Sequence, residues 1–454
     1  MRFMTTALAL SVFMLISAPA EAASWYVATN GSDTNPGTLA APFATINKGV
    51  SKLDYPGDML YVRGGTYNQL VTVWGVHGSQ TSPIYIQPYN GETVVIDGTG
   101  FTGVSAVVGL GQSSWVRFDS FEVKNGIEAG IKVYDSNNIK VRWNKVHDNQ
   151  KFGIVVATAS ASAFGTAHHV LVEGNDVYRN VLNNSAKTAT SGWTQGIGTL
   201  RAEEVDIVDN YVFENYGEGI DCVLTNGCRI VNNTVYDNYG TNIYLDNATN
   251  VLVNRNFCMS GRVSNYLDYY RNNHGAHGIS LANEFYTING ASTQNPLNHI
   301  KITNNIVVNG GHGVLYRDSY YGGGLHDTLV ANNTFYGSST HAPVYIEGTT
   351  VHDTTTIQNN IVYASGTSYA YAPSAAITWG YNTWYNGTAN THKSGPGDIL
   401  ANPLLVNAGT GTKTDYQLQS TSPCINTGTT LSAVTTDYWG QTRGTQYDIG
   451  ADEY

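Results

Sequence analysis

The chain has 454 residues, of which 41% are hydrophobic and only 13% charged, and its formal net charge is −11 at pH 7. This hydrophobic content excludes an intrinsically disordered protein, and the abundance of Gly (49) and Tyr (31) does not fit a helical bundle or coiled coil. The negative charge disfavours nucleic acid as a partner, because nucleic-acid binding needs a basic surface. An acidic polysaccharide stays compatible if Ca²⁺ or a short basic strip supplies local positive charge.

The first 22 residues have the features of a signal peptide. Arg2 supplies a positive charge, residues 7–16 form an apolar run, and residues 20–22 read Ala-Glu-Ala, a small-residue cleavage site. The alternative, an uncleaved anchor, would need a longer apolar run to cross a bilayer. We therefore predict that residues 23–454 are exported to the extracellular space or the periplasm, with no membrane as a partner.

Four segments share a pattern of two Asn residues that lie five positions apart. They are residues 141–149, 172–180, 207–215 and 230–238, and the pattern continues in weaker form at Asn256, Asn305, Asn333 and Asn360. The shortest spacing between repeats is 23 residues. We take about 23 residues as the repeating unit, which loop insertions lengthen elsewhere.

A second recurring segment, with the sequences GIKVYDS, GIVVATA, GIDCVLT and NIYLDNA among its copies, lies between the Asn segments. A unit of about 23 residues with three short strands cannot bury its own apolar face, so it has to stack on its neighbours. The repeat predicts an all-β fold, a right-handed parallel β-helix (a solenoid) with loop insertions, in which the Asn residues form a scaffold ladder. Residues 23–454 form a single domain in this interpretation, and residues 391–454 cap the last coils.

The opening of the mature chain resembles a known group of enzymes. Residues 25–48, 56–73 and 82–98, together with the closing DIGADEY (448–454), are similar to secreted β-helix enzymes of the pectate-lyase-like superfamily, such as pectate lyases, alginate lyases and chondroitinase B. The resemblance implies the fold and a polysaccharide substrate. It does not carry over catalytic residues, because the central coils contain no Asp-Asp pair for Ca²⁺ and no Lys between Lys187 and Lys301.

Two aspartates on neighbouring coils are the main candidates for chemistry. Alternate side chains of a strand face opposite sides, so with Ile131 and Val133 inside, Lys132 faces outward, and the same register places Asp221 and Asp246 outward. One coil step and a two-residue offset separate them by roughly 8 Å. That separation suits two carboxyl groups with a water molecule between them. The alternative is a pair of solvated or turn-capping aspartates.

Two insertions, residues 182–195 and 259–277, are expected to build a binding cleft beside these strands. Aromatic faces pack against sugar rings, and a guanidinium can bind a carboxylate. On these grounds the predicted substrate-binding residues are Trp193, Glu218, Tyr244, Tyr269, Tyr270, His274 and Arg317. Glu218 is also a candidate third acid, and the alternative for the tyrosines is that they pack the loop against the helix.

Three functions remain open at this stage. In a polysaccharide lyase, which the resemblance favours, Ca²⁺ held by Asp221 and Asp246, with Glu218 as a further ligand, would neutralise a uronate carboxylate. Arg271, His274 or His277 would act as the base and a tyrosine as the acid. In a glycoside hydrolase, Asp221 and Asp246 would be the acid and the base. In a non-catalytic carbohydrate-binding β-helix, these residues would be scattered and solvated.

The four cysteines, Cys222, Cys228, Cys258 and Cys424, lack the spacing of a metal site. Export permits disulfides, so Cys222 could pair with Cys258 or with Cys228. Buried free thiols are the alternative.

Overall fold

Each repeat forms one coil of three short strands, which pair with the matching strands of the coils on either side. The computed structural model describes residues 21–103, 106–159, 164–189, 193–261, 274–288, 291–293, 295–318, 322–338, 340–349 and 352–454. Within them, three long parallel sheets run the length of a β-helix, as the repeat predicted. We call them the first, second and third sheets in the order in which each coil visits them.

The strands of each sheet, in chain order, have the following bounds. The first sheet contains Ser24–Val27, Met59–Val62, Ile84–Pro88, Val116–Asp119, Lys140–Arg142, His168–Glu173, Glu203–Val208, Asn226–Val231, Thr249–Asn254, Asn298–Thr303, His326–Ala331, Thr355–Gln358 and Ile377–Gly380. The second contains Gly65–Asn68, Val94–Asp97, Glu122–Lys124, Lys145–His147, Asp176–Tyr178, Tyr211–Phe213, Thr234–Tyr236, Phe257–Met259, Ile306–Val308, Thr334–Tyr336, Ile361–Tyr363 and Thr383–Tyr385. The third contains Val71–Trp74, Val108–Gly111, Ala129–Tyr134, Phe152–Ala157, Gln195–Leu200, Glu218–Val223, Thr241–Asp246, His277–Ala282, Val314–Arg317, Val344–Ile346 and Ala370–Tyr371.

Helical structure is sparse in the described residues. One short α-helix, Ile46–Val50, packs Ile46 and Val50 into the core near the first coil, and the Thr45 hydroxyl caps its N-terminus. The 3₁₀ turns are Tyr89–Gly91, Leu182–Asn184 and Lys413–Tyr416, and a two-stranded antiparallel hairpin joins Tyr286–Ile288 to Ala291–Thr293. No helix in the described part of the chain has the length and apolar character needed to cross a membrane.

The predicted Asn ladder is confirmed. Between the first and second sheets, the side-chain amide of each ladder Asn donates to the Oδ1 atom of the Asn on the next coil, at 2.9–3.1 Å, in the series Asn144, Asn175, Asn210, Asn233, Asn256, Asn305, Asn333, Asn360 and Asn382. A second, shorter ladder links Asn149, Asn180, Asn215 and Asn238. These amides are buried, so the ladder satisfies polar groups that would otherwise lack water.

The predicted alternation along the third sheet is also confirmed. The strand pairs bring one outward position of each coil into line, and this row reads Lys132, Val155, Gly198, Asp221, Tyr244, Ser280 and Leu315. The residues between them, such as Ile131 and Val133, are fully buried in one continuous core. The hydrophobic pattern therefore determines which side chains the third sheet presents on its outer face.

The C-terminal segment follows a different path from the one expected. Near its start Asp398 covers the last coil, where its Oδ1 atom accepts a hydrogen bond from the Asn382 backbone N–H at 2.8 Å. Further on, the chain runs back along the outside of the helix, and Arg443 donates to Asn304 Oδ1 at 2.8 Å. Only the first part of residues 391–454 therefore acts as the expected cap. The rest buries outward apolar side chains of the second sheet, including Phe257, Met259 and Ile306.

Of the cysteine alternatives, the structure has the Cys222–Cys228 disulfide, with an S–S distance of 1.97 Å. Cys258 and Cys424 are buried free thiols. The disulfide joins the end of a third-sheet strand to the first-sheet strand that follows, directly after Asp221. It therefore fixes the turn that follows this candidate acid.

Candidate functional site

Two neighbouring strands of the third sheet carry the acidic residues that the sequence singled out. Asp221 lies directly opposite Tyr244, and Asp246 lies opposite Val223. The two aspartates are thus one coil apart and two residues out of line, which places their Cα atoms about 8 Å apart.

Both aspartates are buried. Asp221 is 2% exposed and Asp246 is 1% exposed, and Glu218 is also buried. The alternative of solvated aspartates is therefore wrong. Asp246 does help to hold the following segment, because its Oδ1 atom accepts hydrogen bonds from Asn247 Nδ2 at 2.8 Å and from the Glu284 backbone N–H at 3.2 Å.

Gln195 connects two of the acids. Its Nε2 atom donates to Glu218 Oε2 at 2.8 Å and to Asp221 Oδ2 at 3.1 Å. Gln195 thus holds the carboxyl groups of Glu218 and Asp221 close together, where burial favours the protonated form of both acids and raises the pKa of each. The other Asp221 oxygen, Oδ1, is buried and has no hydrogen-bond partner among the described residues. A buried acceptor without a partner is costly, so this oxygen is available to a ligand or a water molecule.

Two tyrosines donate hydrogen bonds to the other two acids of the site, Asp246 and Glu284. The Tyr286 hydroxyl donates to Asp246 Oδ2, and the Tyr244 hydroxyl donates to Glu284 Oε1 at 2.7 Å. Tyr286 begins the hairpin that follows Glu284. The cluster therefore combines side chains from neighbouring coils with an insertion that folds over them. We call Gln195, Glu218, Asp221, Asp246 and Glu284 the acid cluster.

Burial and mutual repulsion raise the pKa of these acids. Burial raises the pKa of Glu218 to about 8, and the nearby carboxylates of Asp246 and Glu284 contribute. Burial, together with the charge of Glu218, holds the pKa of Asp221 well above its usual range. Burial and the charge of Glu284 raise the pKa of Asp246 to about 7, although the hydrogen bond from Tyr286 opposes that rise. Near neutral pH the cluster thus holds both protonated and ionised acids.

Comparison with known proteins places this chain in a family. The family model described as the Pel9A-like right-handed β-helix region matches residues 25–256, just over half of the chain. The chain belongs to this Pel9A-like family. Its membership confirms the right-handed fold and the resemblance to pectate-lyase-like proteins.

Individual relatives of this Pel9A-like chain are distant. Pectate lyase PEL9 of Emericella nidulans is 29% identical over 164 residues, which cover 33% of this chain and 40% of that protein, so the chain spans about two fifths of the relative's length. The structure of XylC in complex with xylose has a TM-score of 0.52 at 12% identity and covers 94% of this chain and 98% of that one. PfbA, a surface adhesin of Streptococcus pneumoniae, has a TM-score of 0.52 at 14% identity, with coverage of 74% and 86%. These two structures support the fold alone.

Several of the predicted cleft residues of this Pel9A-like protein do lie near the acid cluster. The Trp193 ring packs over Gly240, directly before the Asp246 strand, and the space beside Gly240 borders on Glu218. His277 pairs in register with Thr241 and stacks on His312, with ring centroids 5.0 Å apart.

His274 lies beside His277, at a centroid distance of 5.0 Å. His277 Nδ1 accepts a hydrogen bond from the His312 backbone N–H, so the neutral ring carries its proton on Nε2. His274 Nδ1 instead donates to the Gly275 carbonyl, which leaves Nε2 as the acceptor. His274 rather than His277 therefore has a ring nitrogen suited to a base.

The other predicted residues lie further away or cannot be placed. Arg317 occupies the same outward position as Asp246 two coils further on, about 10 Å along the axis. Tyr269, Tyr270 and Arg271 lie outside the described residues.

Three members of the site were not singled out from the sequence. Gln195 precedes its strand glycine just as Glu218 does, and the two pair in register, so the repeat did contain a signal for Gln195. Glu284 and Tyr286 follow the His277–Ala282 strand in an insertion without repeat pattern. Nothing in the sequence indicated that they fold back onto Asp246.

A calcium ion on Asp221 and Asp246 stays a prediction. Carboxylate oxygens are the ligands that Ca²⁺ prefers. The described residues, however, include no group of three or more His, Cys, Asp or Glu side chains placed to hold a metal ion, and both Asp246 oxygens already accept hydrogen bonds. The side chains of the described residues therefore do not form a complete calcium site.

Proposed function

We propose that this protein is a carbohydrate-active enzyme that cleaves a polysaccharide by acid–base chemistry at the acid cluster, and that glycosidic hydrolysis is the reaction that the geometry supports best. The observation that carries the proposal is the pair of buried aspartates on neighbouring coils, with raised pKa values and Cα atoms about 8 Å apart. In inverting glycosidases one carboxyl group acts as the acid and a second, with a water molecule beside it, as the base, and two aspartates on neighbouring coils can supply both roles.

The hydrogen bonds suggest a role for each acid. Asp246 accepts three hydrogen bonds and has the lower pKa, about 7, so it is the base that takes a proton from water. Glu218 and Asp221 keep their protons at neutral pH, because burial raises the pKa of both, and they supply the acid that protonates the departing glycosidic oxygen. The oxygen of that water bonds to the anomeric carbon as the glycosidic C–O bond breaks, and after product release Asp246 loses its proton to solvent while the Glu218–Asp221 pair regains one from it.

A polysaccharide lyase is the second candidate, and membership of the Pel9A-like family favours it. β-Elimination needs the uronate carboxylate neutralised, a base for the C5 proton and an acid for the leaving oxygen. The protonated Glu218–Asp221 pair could donate to the carboxylate, His274 Nε2 could accept the proton, and a tyrosine could act as the acid. Arg271 remains a proposed base outside the described residues.

A non-catalytic binding protein is the third reading. It requires the candidate residues to be scattered and solvated, whereas Asp221, Asp246 and His277 are all buried. This burial counts against it. We also propose a polysaccharide partner and export to the extracellular space or periplasm. The Cys222–Cys228 disulfide supports export, because disulfides persist in oxidising compartments.

One assay separates the candidates. Purified protein is incubated with polygalacturonate, alginate, xylan and a β-glucan, and both reducing ends and the ultraviolet absorbance of unsaturated uronates are followed. Reducing ends without absorbance support hydrolysis, and both signals together would reject it in favour of the lyase. Neither reducing ends nor absorbance with any of the four polymers would favour the non-catalytic binding protein.

Matched variants then test the site itself. Asp221→Asn and Asp246→Asn should each lower kcat by at least about 100-fold, since general acid–base catalysis contributes that much or more. The control is Asp54→Asn, because Asp54 is exposed and lies near the start of the chain, many coils before the acid cluster. Full activity in both site variants would remove the proposed site. Loss of activity in EDTA, restored by Ca²⁺, would support the calcium prediction.

A further inference from the structure

An exposed tryptophan, a lysine and a tyrosine lie together on the outer face of the third sheet, several coils before the acid cluster. We propose that Trp74, Lys132 and Tyr134 form a distal platform that binds a sugar ring of the polysaccharide. The proposal rests on the proposed function only in taking a polysaccharide as the ligand.

The strand register brings these residues together and aligns them with the acid cluster. Trp74 and Tyr134 both pair with Gly111, one from each side, and Lys132 pairs with Gly109. From Lys132 the same outward row leads in three coil steps to Asp221, a distance of about 14 Å. A glycan bound at the acid cluster has to extend over that distance to reach the platform.

Two glycines shape the platform. The six-membered ring of Trp74 occupies the space where a Gly111 side chain would lie, since a Cβ there would approach Trp74 Cε3 and Cζ3 to 2.3 Å. The indole leans onto the sheet for this reason and is still 54% exposed. Gly109 lies between Thr72 and Lys132 in register, and a Cβ built on it would meet no atom within 4 Å, so the floor beside Lys132 is open.

The side chains around this floor match the two kinds of surface on a sugar. An aromatic face packs against the apolar C–H face of the ring, as Trp74 can do here. The Lys132 ammonium lies 5.2 Å from the centroid of the Tyr134 ring and can donate to a hydroxyl or carboxylate oxygen. Single exposed aromatic residues are common on protein surfaces. An exposed indole, an ammonium and an empty glycine floor on the face that carries the acid cluster form a more specific arrangement.

The test measures binding separately from catalysis. In the Asp221→Asn background, affinity electrophoresis is run in gels that contain polygalacturonate, alginate, xylan or a β-glucan. Trp74→Asn should raise the Kd for a retarding polymer about three- to tenfold, as expected for the loss of one aromatic contact. Gly109→Val should weaken binding similarly, because its side chain fills the open floor and suits a strand.

The matched control is Trp143→Asn. Trp143 is 53% exposed and follows a first-sheet strand, away from the proposed face, and its φ of 57° is one that Asn tolerates. Equal weakening by the two tryptophan variants, no effect of Trp74→Asn, or no retardation in any gel would overturn the platform. Trp74-dependent binding in a protein whose acid cluster proves inactive would preserve the platform and reject the proposed reaction.

Discussion

The Tyr286 hydroxyl donates a hydrogen bond to the Asp246 carboxylate and so connects the hairpin after the His277–Ala282 strand to the preceding coil. A hydrogen bond to the ionised form of an acid stabilises that form and lowers its pKa. Tyr286 therefore limits the rise that burial and Glu284 impose on Asp246. If Asp246 is the base of the reaction, the pH dependence of activity reports on this bond.

We expect kcat/KM to rise as Asp246 loses its proton near pH 7 and to fall as Glu218 loses its proton near pH 8. Tyr286→Phe removes the donor, so the acidic limb of the profile should move up by about one pH unit. Tyr211→Phe, at an exposed tyrosine of the second sheet, is the control. An unchanged acidic limb in Tyr286→Phe would show that Asp246 does not set it.

The same acids should make the fold less stable as the pH rises. Their pKa values are higher in the folded than in the unfolded chain, so the folded state holds more protons between about pH 4 and pH 8. The stability they contribute is complete below the unfolded pKa and is lost as the pH rises through the folded pKa. Glu218→Gln, which cannot ionise, should reduce the drop in Tm between pH 5 and pH 8.5 by at least about 2 °C. A drop as large as that of the unsubstituted protein would contradict the assignment.

The Asn ladder should account for a substantial share of the stability. Asn233 Oδ1 accepts hydrogen bonds from Asn210, and its amide donates to Asn256 Oδ1. Asn233→Ala leaves these buried groups without partners, and we expect a loss of about 3 kcal/mol in the free energy of unfolding. Asn407→Ala, at an exposed position, should change it by less than about 0.5 kcal/mol. Similar losses in both variants, measured by urea denaturation, would argue against the ladder as the cause.

The cysteine pairing predicts a definite thiol count. Cys258 and Cys424 are buried thiols, and Cys222 and Cys228 are oxidised. Protein prepared without reductant should therefore show no reactive thiol when folded and two when denatured. Four thiols in the denatured protein would place the chain in a reducing compartment and weaken the proposal of export.

Much of the fold could be predicted from the sequence because every coil of the β-helix repeats the same short pattern of residues. The recurring Asn residues and the alternation of apolar side chains specify the coil, the ladder and the outward register of Asp221 and Asp246, since a strand exposes every second side chain. The C-terminal segment has no such period, and its return along the second sheet depends on apolar side chains that are distant in sequence.

What only the tertiary structure decided is the chemical character of the site. The register put two aspartates on one face, but it could not show that Glu284 and Tyr286 fold over them or that one amide of Gln195 would hold Glu218 and Asp221 together. These contacts remove water from the acids and bring their charges close, and it is this desolvation that raises their pKa values. The sequence by itself thus determined where the acids lie along the helix, whereas packing across coils and insertions decided how they hold their protons.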